Sequence, residues 1–387
     1  MFGNVMGRRR LMTLGAVALL AGCKAIPSSA PTQAPPPPEP TAPEPGSDLP
    51  TDTERHRVAL LVPLSGSNAE VGQSIANAAT MAILDTNAQN LRVTNYDTAG
   101  GAANAARRAV ADGNKLILGP LLSDNIPAVV AAARPAGVPL ISFSNDQSAA
   151  QNDVFVVGNL PGQSVERVVD FATSRGIQSF AALIPQGEYG ERAAAALASA
   201  VRANRGSITA VERYDRGNTS IVSAAQRLAG SGGYQGVLIA DGARMALRAA
   251  PEVKPAGSDV QIMGTELWSG EREIMNAPAL RGAWFASVSD KNFSQFSTSY
   301  RSRFGNAPYR IATLGYDAVL LTLRVARDWR PGTTFPTRQL SDDGGFLGLD
   351  GAFRFGGDGV IERALEVRQV GSGTVTTVSP APTRFDD

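Results

Sequence analysis

Residues 115–146, KLILGPLLSDNIPAVVAAARPAGVPLISFSND, read as strand, glycine turn, helix, strand, with polar loops at 123–125 and 144–146. A strand–helix–strand unit of this kind builds parallel sheet, and successive parallel strands bring the loops at their carboxyl ends to one rim. Those two loops are therefore expected to face a common crevice.

The same alternation runs through most of the chain. VALLVPL (58–64) is a continuous apolar strand of the kind covered on both faces, followed by the helix QSIANAATMAILD, the strand LRVTNYD and the helix ANAARRAVADG, with Gly113 as its C-cap. After VFVVGNLPGQ the rhythm restarts with VERVVDFATSRG, FAALIP, EYGERAAAALASAVRANRG, SITAVERYD, SIVSAAQRLAGSG, GVLIAD and VQIMGTE. GAWFASVSD then leads into the helices NFSQFSTSYRSRFG and TLGYDAVLLTLRVARDW and a β-rich tail. The fold class expected is α/β, with two doubly wound parallel-sheet lobes joined by crossing strands. A chain of 387 residues has the length for two such lobes.

Ahead of them stands a segment of another character. Arg8, Arg9 and Arg10 precede about a dozen apolar residues, too few to span a bilayer and suited to an export signal. That run closes on Leu20-Ala21-Gly22-Cys23, which resembles a bacterial lipobox, and Cys23 is the only cysteine of the chain. Lipidation at Cys23 is expected, and Lys24 after it leans towards the outer membrane, with the folded part facing the periplasm. The proline-rich stretch that follows cannot build helix or sheet interior, so it reads as a semi-rigid tether reaching about 3 Å per residue. The expected organisation is a signal peptide at 1–22, the lipidated cysteine and tether at 23–55, a first lobe from 56–160 plus 288–345, and a second from 161–287 plus 346–380.

Several functions are excluded by what is missing. With Lys+Arg 36 against Asp+Glu 35 there is no field to hold nucleic acid. One cysteine and one histidine allow neither an internal disulfide nor a Cys/His zinc site. His56 stands where the proline tract ends and reads as a plain exposed residue, which speaks against a Ser-His-Asp machine. Gly230 to Gly233 lacks the Lys and Ser/Thr of a phosphate cradle and reads as a helix-ending loop, and 356–359 as a hairpin turn. Asp146 and Glu266 could form an acid/base pair, but nothing supplies a metal, a base-activated nucleophile or a cofactor motif. No catalytic residue, metal or cofactor is assigned, and the chain is not read as an enzyme.

In this order, VALLVPLSG…EVGQSIANAATMAI, LILGPLLS, VPLISFSND, the EYG at 188–190, IMGTE, and YRSRFGNAP with LGYDAVLLTL resemble the type I periplasmic binding protein family over residues 57–380. In its branched-chain amino-acid receptors the resemblance implies ligand contacts from the loops after the third and fourth strands, from the tyrosine of the YG turn and from a glutamate. The matching positions here are Ser123 with Asn125, then Ser144, Asn145 and Asp146, then Tyr189, then Glu266. Backbone N–H groups and hydroxyls suit a carboxylate, and Glu266 with Asp146 would suit an ammonium. Asp317 in LGYDAV reads as a helix-start or hinge-supporting carboxylate.

The lipidated start, the tether, the FSND loop and the closing DGAFRF…DGVIERALEVRQV together resemble a narrower group, the penicillin-binding protein activator lipoproteins. That resemblance implies a non-enzymatic regulator of peptidoglycan synthesis whose partner is a bifunctional peptidoglycan synthase, the tether leading straight into the binding-protein fold without the helical-repeat domain of better-known activators. The alternative is a lipid-anchored solute-binding protein of an ABC importer for amino acids or amides.

Overall fold

The computed structural model describes residues 53–255, 257–382 and 385. The signal peptide, Cys23 and nearly all of the tether lie outside the described residues. The first lobe begins with β1 (His56–Val62), α1 (Ala69–Thr86), β2 (Leu91–Asp97), α2 (Ala102–Ala111), β3 (Leu116–Leu118), α3 (Ile126–Ala133), β4 (Leu140–Ser142) and β5 (Val154–Val156). Its five strands are all parallel, in the order β2-β1-β3-β4-β5. Val58 through Val62 are completely buried, which is why that run shows no polar alternation: helices cover both faces of the sheet.

The chain then crosses to the second lobe, made of α4 (Pro161–Ser174), β6 (Ser179–Pro185), α5 (Glu188–Ala203), β7 (Ser207–Tyr214), α6 (Ser220–Ser231), β8 (Gly236–Ile239), α7 (Ala243–Val253), β9 (Gln261–Gly264) and β10 (Trp284–Ser287). Sequence periodicity leaves α7 unassigned. The helix carries Pro251 inside its last turn, while Ala243, Met245, Ala246, Ala249, Ala250 and Val253 form the buried stripe that holds it.

A second crossing returns to the first lobe, where α8 (Phe293–Phe304) and α9 (Thr313–Val325) pack on α1. Next come β11 (Phe346–Gly348), β12 (Gly351–Phe355) and β13 (Ile361–Arg363), a small antiparallel sheet, and then β14 (Glu366–Val370) and β15 (Val375–Ser379). The last two join the second sheet antiparallel, giving β15-β14-β10-β9-β8-β6-β7. The architecture is thus two α/β lobes linked by three crossings.

Two expectations need correction here. Phe353, Phe355 and Ile361 share one core with Val58, Leu60 and Leu314, and Phe355 meets Phe155 edge-on at 5.4 Å. Residues 346–363 therefore pack with the first lobe, not the second: Phe353, Phe355 and Ile361 are buried in its core before the chain crosses again. His56 is 3% exposed instead of solvated. Its ring stacks on Trp329 at 4.2 Å, and burial holds its pKa below 6.5.

Candidate functional site

In both lobes the carboxyl ends of the parallel strands point to the space between them, so the loops after β3, β4, β6 and β9 meet there. From the first lobe, residues Ser123–Asn125 form one 3₁₀ turn leading into α3, with no side-chain cap on the helix. Among the described residues no hydrogen bond joins Ser123 or Asn125 to the other candidate side chains; the Ser123 hydroxyl reaches Asp124 at 3.5 Å.

The loop after β4 is held from within. Ser142 donates its hydroxyl to the Pro120 carbonyl at 2.9 Å, and Ser144 is buried, its Oγ accepting from the Asp146 N–H at 3.0 Å. Gly158, just past β5, lets the first crossing lie against this loop: a Cβ there would sit 2.1 Å from the Ser144 carbonyl oxygen. Asp146 accepts from the N–H and the hydroxyl of Ser148, at 3.1 and 2.7 Å.

The other Asp146 oxygen faces the second lobe and meets Arg192 of α5 at 2.8 Å. Arg192 also donates to the Asn145 side chain at 3.3 Å and pairs with Glu188 one turn earlier at 2.9 Å. The mouth of the crevice is thereby bridged by the protein's own ion pair. Asp146, expected beside an ammonium group, is already compensated by a guanidinium, and sequence spacing gave no hint of Arg192.

Deeper in, Tyr189 and Glu266 come together. The Tyr189 hydroxyl donates to Glu266 Oε1 at 3.0 Å and lies 2.9 Å from the Thr265 hydroxyl. Glu266 is turned inward by its neighbours. Trp268 is fully buried, its indole N–H donates to the Asp241 carbonyl at 2.8 Å, and its ring lies over Gly264, where a Cβ would meet it at 2.3 Å. The backbone N–H of Glu266 donates to Ser164 at 2.9 Å, and Ser164 donates to the Ala286 carbonyl at 2.8 Å.

Burial pushes the Glu266 carboxyl up to about 7, and burial with the Glu266 charge pushes Tyr189 well above the ordinary tyrosine value. Glu266 forms no ion pair among the described residues, and its Oε2 is buried without a partner. Asp317 lies within α9, accepting from the Leu349 and Asp350 N–H groups at 2.6 and 3.4 Å, and so braces the β11–β12 turn. Burial and the Asp350 charge raise its pKa.

The cavity that remains beside Glu266 is about 30 Å³, lined by Asn159, Gln163, Ser287, Arg310 and Arg363 among others. No group of three or more metal-ligating side chains occurs among the described residues, and none of their helices is long and apolar enough to cross a membrane.

Comparison with known proteins agrees with this architecture. An ABC transporter substrate-binding protein of Sphaerobacter thermophilus superposes with a TM-score of 0.70 at 19% identity, over 86% of this chain and 98% of its own. The C-domain of LpoA from Haemophilus influenzae, described as a regulator of PBP1A, superposes with a TM-score of 0.67 at 17% identity, over 83% of this chain and 99% of its own. At these identities the likeness concerns the fold. An uncharacterized protein of Rickettsia prowazekii is 26% identical over 173 residues, so the match spans 44% of this chain and 46% of that protein. The family model for periplasmic binding proteins matches residues 56–374, and the chain belongs to that family.

Proposed function

We propose that this chain is a regulator without catalysis of its own, anchored in the outer membrane through Cys23 and docking on a bifunctional peptidoglycan synthase. The observation that carries the reading is Arg192, which reaches from one lobe to Asp146 and Asn145 of the other and occupies the mouth where a solute would enter. A pocket that buries a small molecule usually holds about 300–1,000 Å³. The space beside Glu266, about 30 Å³, is far smaller. Lobes held together by their own side chains present a fixed surface, which suits protein docking. The cysteine at the end of an export-type segment and the proline tether favour a protein that works at a distance from its membrane. The LpoA C-domain, described as regulating PBP1A, offers a structural precedent.

The test is capture of the cell's bifunctional synthases by the full chain, with glycan polymerisation measured in its presence and absence. Binding with a raised rate is expected, and no binding with no change in rate overturns the reading. Cys23→Ala is expected to leave the outer-membrane fraction, and retention there would overturn the anchor. A thermal-shift series with amino acids, amides and muropeptides is expected to give no shift. A true ligand at 100 times its Kd would add about 2.7 kcal/mol, and such a shift would favour the lipid-anchored importer component instead.

A further inference from the structure

Seven buried side-chain atoms among the described residues have no hydrogen-bond partner, and five of them belong to four residues around a single cavity. They are Asn159 Oδ1, Glu266 Oε2, Arg310 Nε, and Nε and Nη1 of Arg363. Buried polar groups are nearly always satisfied, so this convergence points to something that occupies the space. The cavity sits where the three crossings meet. Asn159 and Leu160 lie on the first, Ser287 and Val288 on the second, and Arg363 and Leu365 on the third.

Arg363 is the centre of the argument. It is 9% exposed, spends only Nη2 on the protein, donating to the Val157 carbonyl at 2.7 Å, and lies over Phe353 at 5.5 Å. Among the described residues no carboxylate forms an ion pair with it. The nearby acids are engaged elsewhere: Asp350 accepts from Arg310 and from Thr313, both at 2.7 Å, and Asp317 accepts from two backbone N–H groups. Asp290 and Glu366 are taken up by Arg368. The Nε of Arg310 has only a long 3.4 Å contact to Asp290 and lines the same cavity. The Asp350 and Asp317 charges favour the guanidinium without touching it, so its Nε and Nη1 donors stay buried with no hydrogen bond, an arrangement that is costly unless something fills the space.

We infer that this cavity is a site for a small monovalent anion, such as chloride or formate, held by Arg363 and Arg310 at the junction of the lobes. Its size sets the class: about 30 Å³ has room for roughly two waters, hence one such anion and one water, and too little for an amino acid. The water donates to Asn159 Oδ1, while Glu266, whose carboxyl titrates near 7, meets the anion in its protonated form. The anion ties the third crossing to the first lobe through Arg310 and to the second through Glu266, so its occupancy holds the lobes at their observed angle. The inference is independent of which macromolecule the protein docks on.

The test uses the purified full chain at constant ionic strength and pH 6, with chloride, bromide, formate or gluconate as the sodium salt. Chloride, bromide and formate are each expected to raise the melting midpoint saturably, by roughly 2–3 °C per tenfold concentration above Kd, and gluconate, too large to enter, not to do so. Chloride-35 NMR of the wild-type chain is expected to show line broadening that formate competes away. In Arg363→Lys, which keeps the charge but loses the fork, the chloride response should fall at least tenfold. Should that variant fail to fold, the NMR competition decides alone. Equal stabilisation by all four salts, or no broadening that formate displaces, would mean that water alone fills the cavity, and would overturn the inference.

Discussion

Replacing Glu266 by Gln separates the electrostatics of the crevice from its packing. Burial moves the carboxyl from 4.5 to about 7, so between those values the folded protein holds a proton that the unfolded chain has released. A folded pKa raised above the unfolded one makes an acid's contribution most favourable at low pH and progressively lost as pH climbs from 4.5 through 7. At about 1.4 kcal/mol per pH unit, the full cost between pH 4.5 and pH 8 is up to about 3 kcal/mol. Glutamine has the shape of the protonated acid, accepts from Tyr189 through its carbonyl, and does not titrate. Urea denaturation of both proteins at pH 5 and pH 8, in gluconate to keep small anions out, isolates the residue. The two should be nearly equal at pH 5, with Glu266→Gln the more stable by about 2–3 kcal/mol at pH 8. Asp317 titrates with the same sign in both proteins and cancels in the difference. A stability gap that is the same at both pH values would refute the reasoning.

Three further outcomes are expected. In a double-mutant cycle of Asp146→Asn and Arg192→Gln, the cross-lobe pair at 2.8 Å, only partly exposed, should show a coupling of about 1 kcal/mol in denaturant unfolding, and strict additivity would remove the latch. Gly158→Ala drives a methyl to 2.1 Å from the Ser144 carbonyl oxygen and should cost about 3 kcal/mol or more, whereas Gly100→Ala, with open space around it, should stay within about 0.5 kcal/mol; circular-dichroism melting compares them. Because the chain has one histidine, its NMR titration is unambiguous: His56, buried against Trp329, should titrate below 6.5, so that stability is full above pH 6.5 and declines below it, and a midpoint at or above 6.5 would contradict the burial.

What could be read in the sequence follows from where each signal is written. Doubly covered strands such as 58–62 announce themselves as unbroken apolar runs, and Tyr189 and Glu266 sit in short ordered motifs at strand ends. The helix α7 was hidden because proline in its last turn breaks the local pattern while burial of its alanines keeps it helical. The lobe boundary at 346–363 was hidden because an amphipathic hairpin shows which residues are buried but not against which core. Arg192 and Arg363 carried no legible signal at all. One lies on an exposed-looking helix face and the other in a β-rich tail, and each acquires meaning from a carboxylate, or the lack of one, contributed by a distant part of the chain.

That difference bears on how such a fold changes occupation. A receptor that reports a solute by closing needs the solute to supply the free-energy difference between open and closed lobes. Here Arg192 supplies part of that difference across the rim, and Arg363 with Arg310 supplies a place for the rest at the junction. A solute entering between the lobes would first have to displace Arg192 from Asp146, and would gain only the difference between its own contact with that carboxylate and the ion pair it replaces. On the proposed reading, lobes already bridged by their own side chains would carry no information about solute concentration. The bridge would instead bias the relative orientation of two lobe surfaces, and a partner that contacts both would bind at a lower cost of ordering them. On the proposed reading, the changes that would weaken a periplasmic receptor as a sensor are the same ones that would suit it to present a surface to a partner.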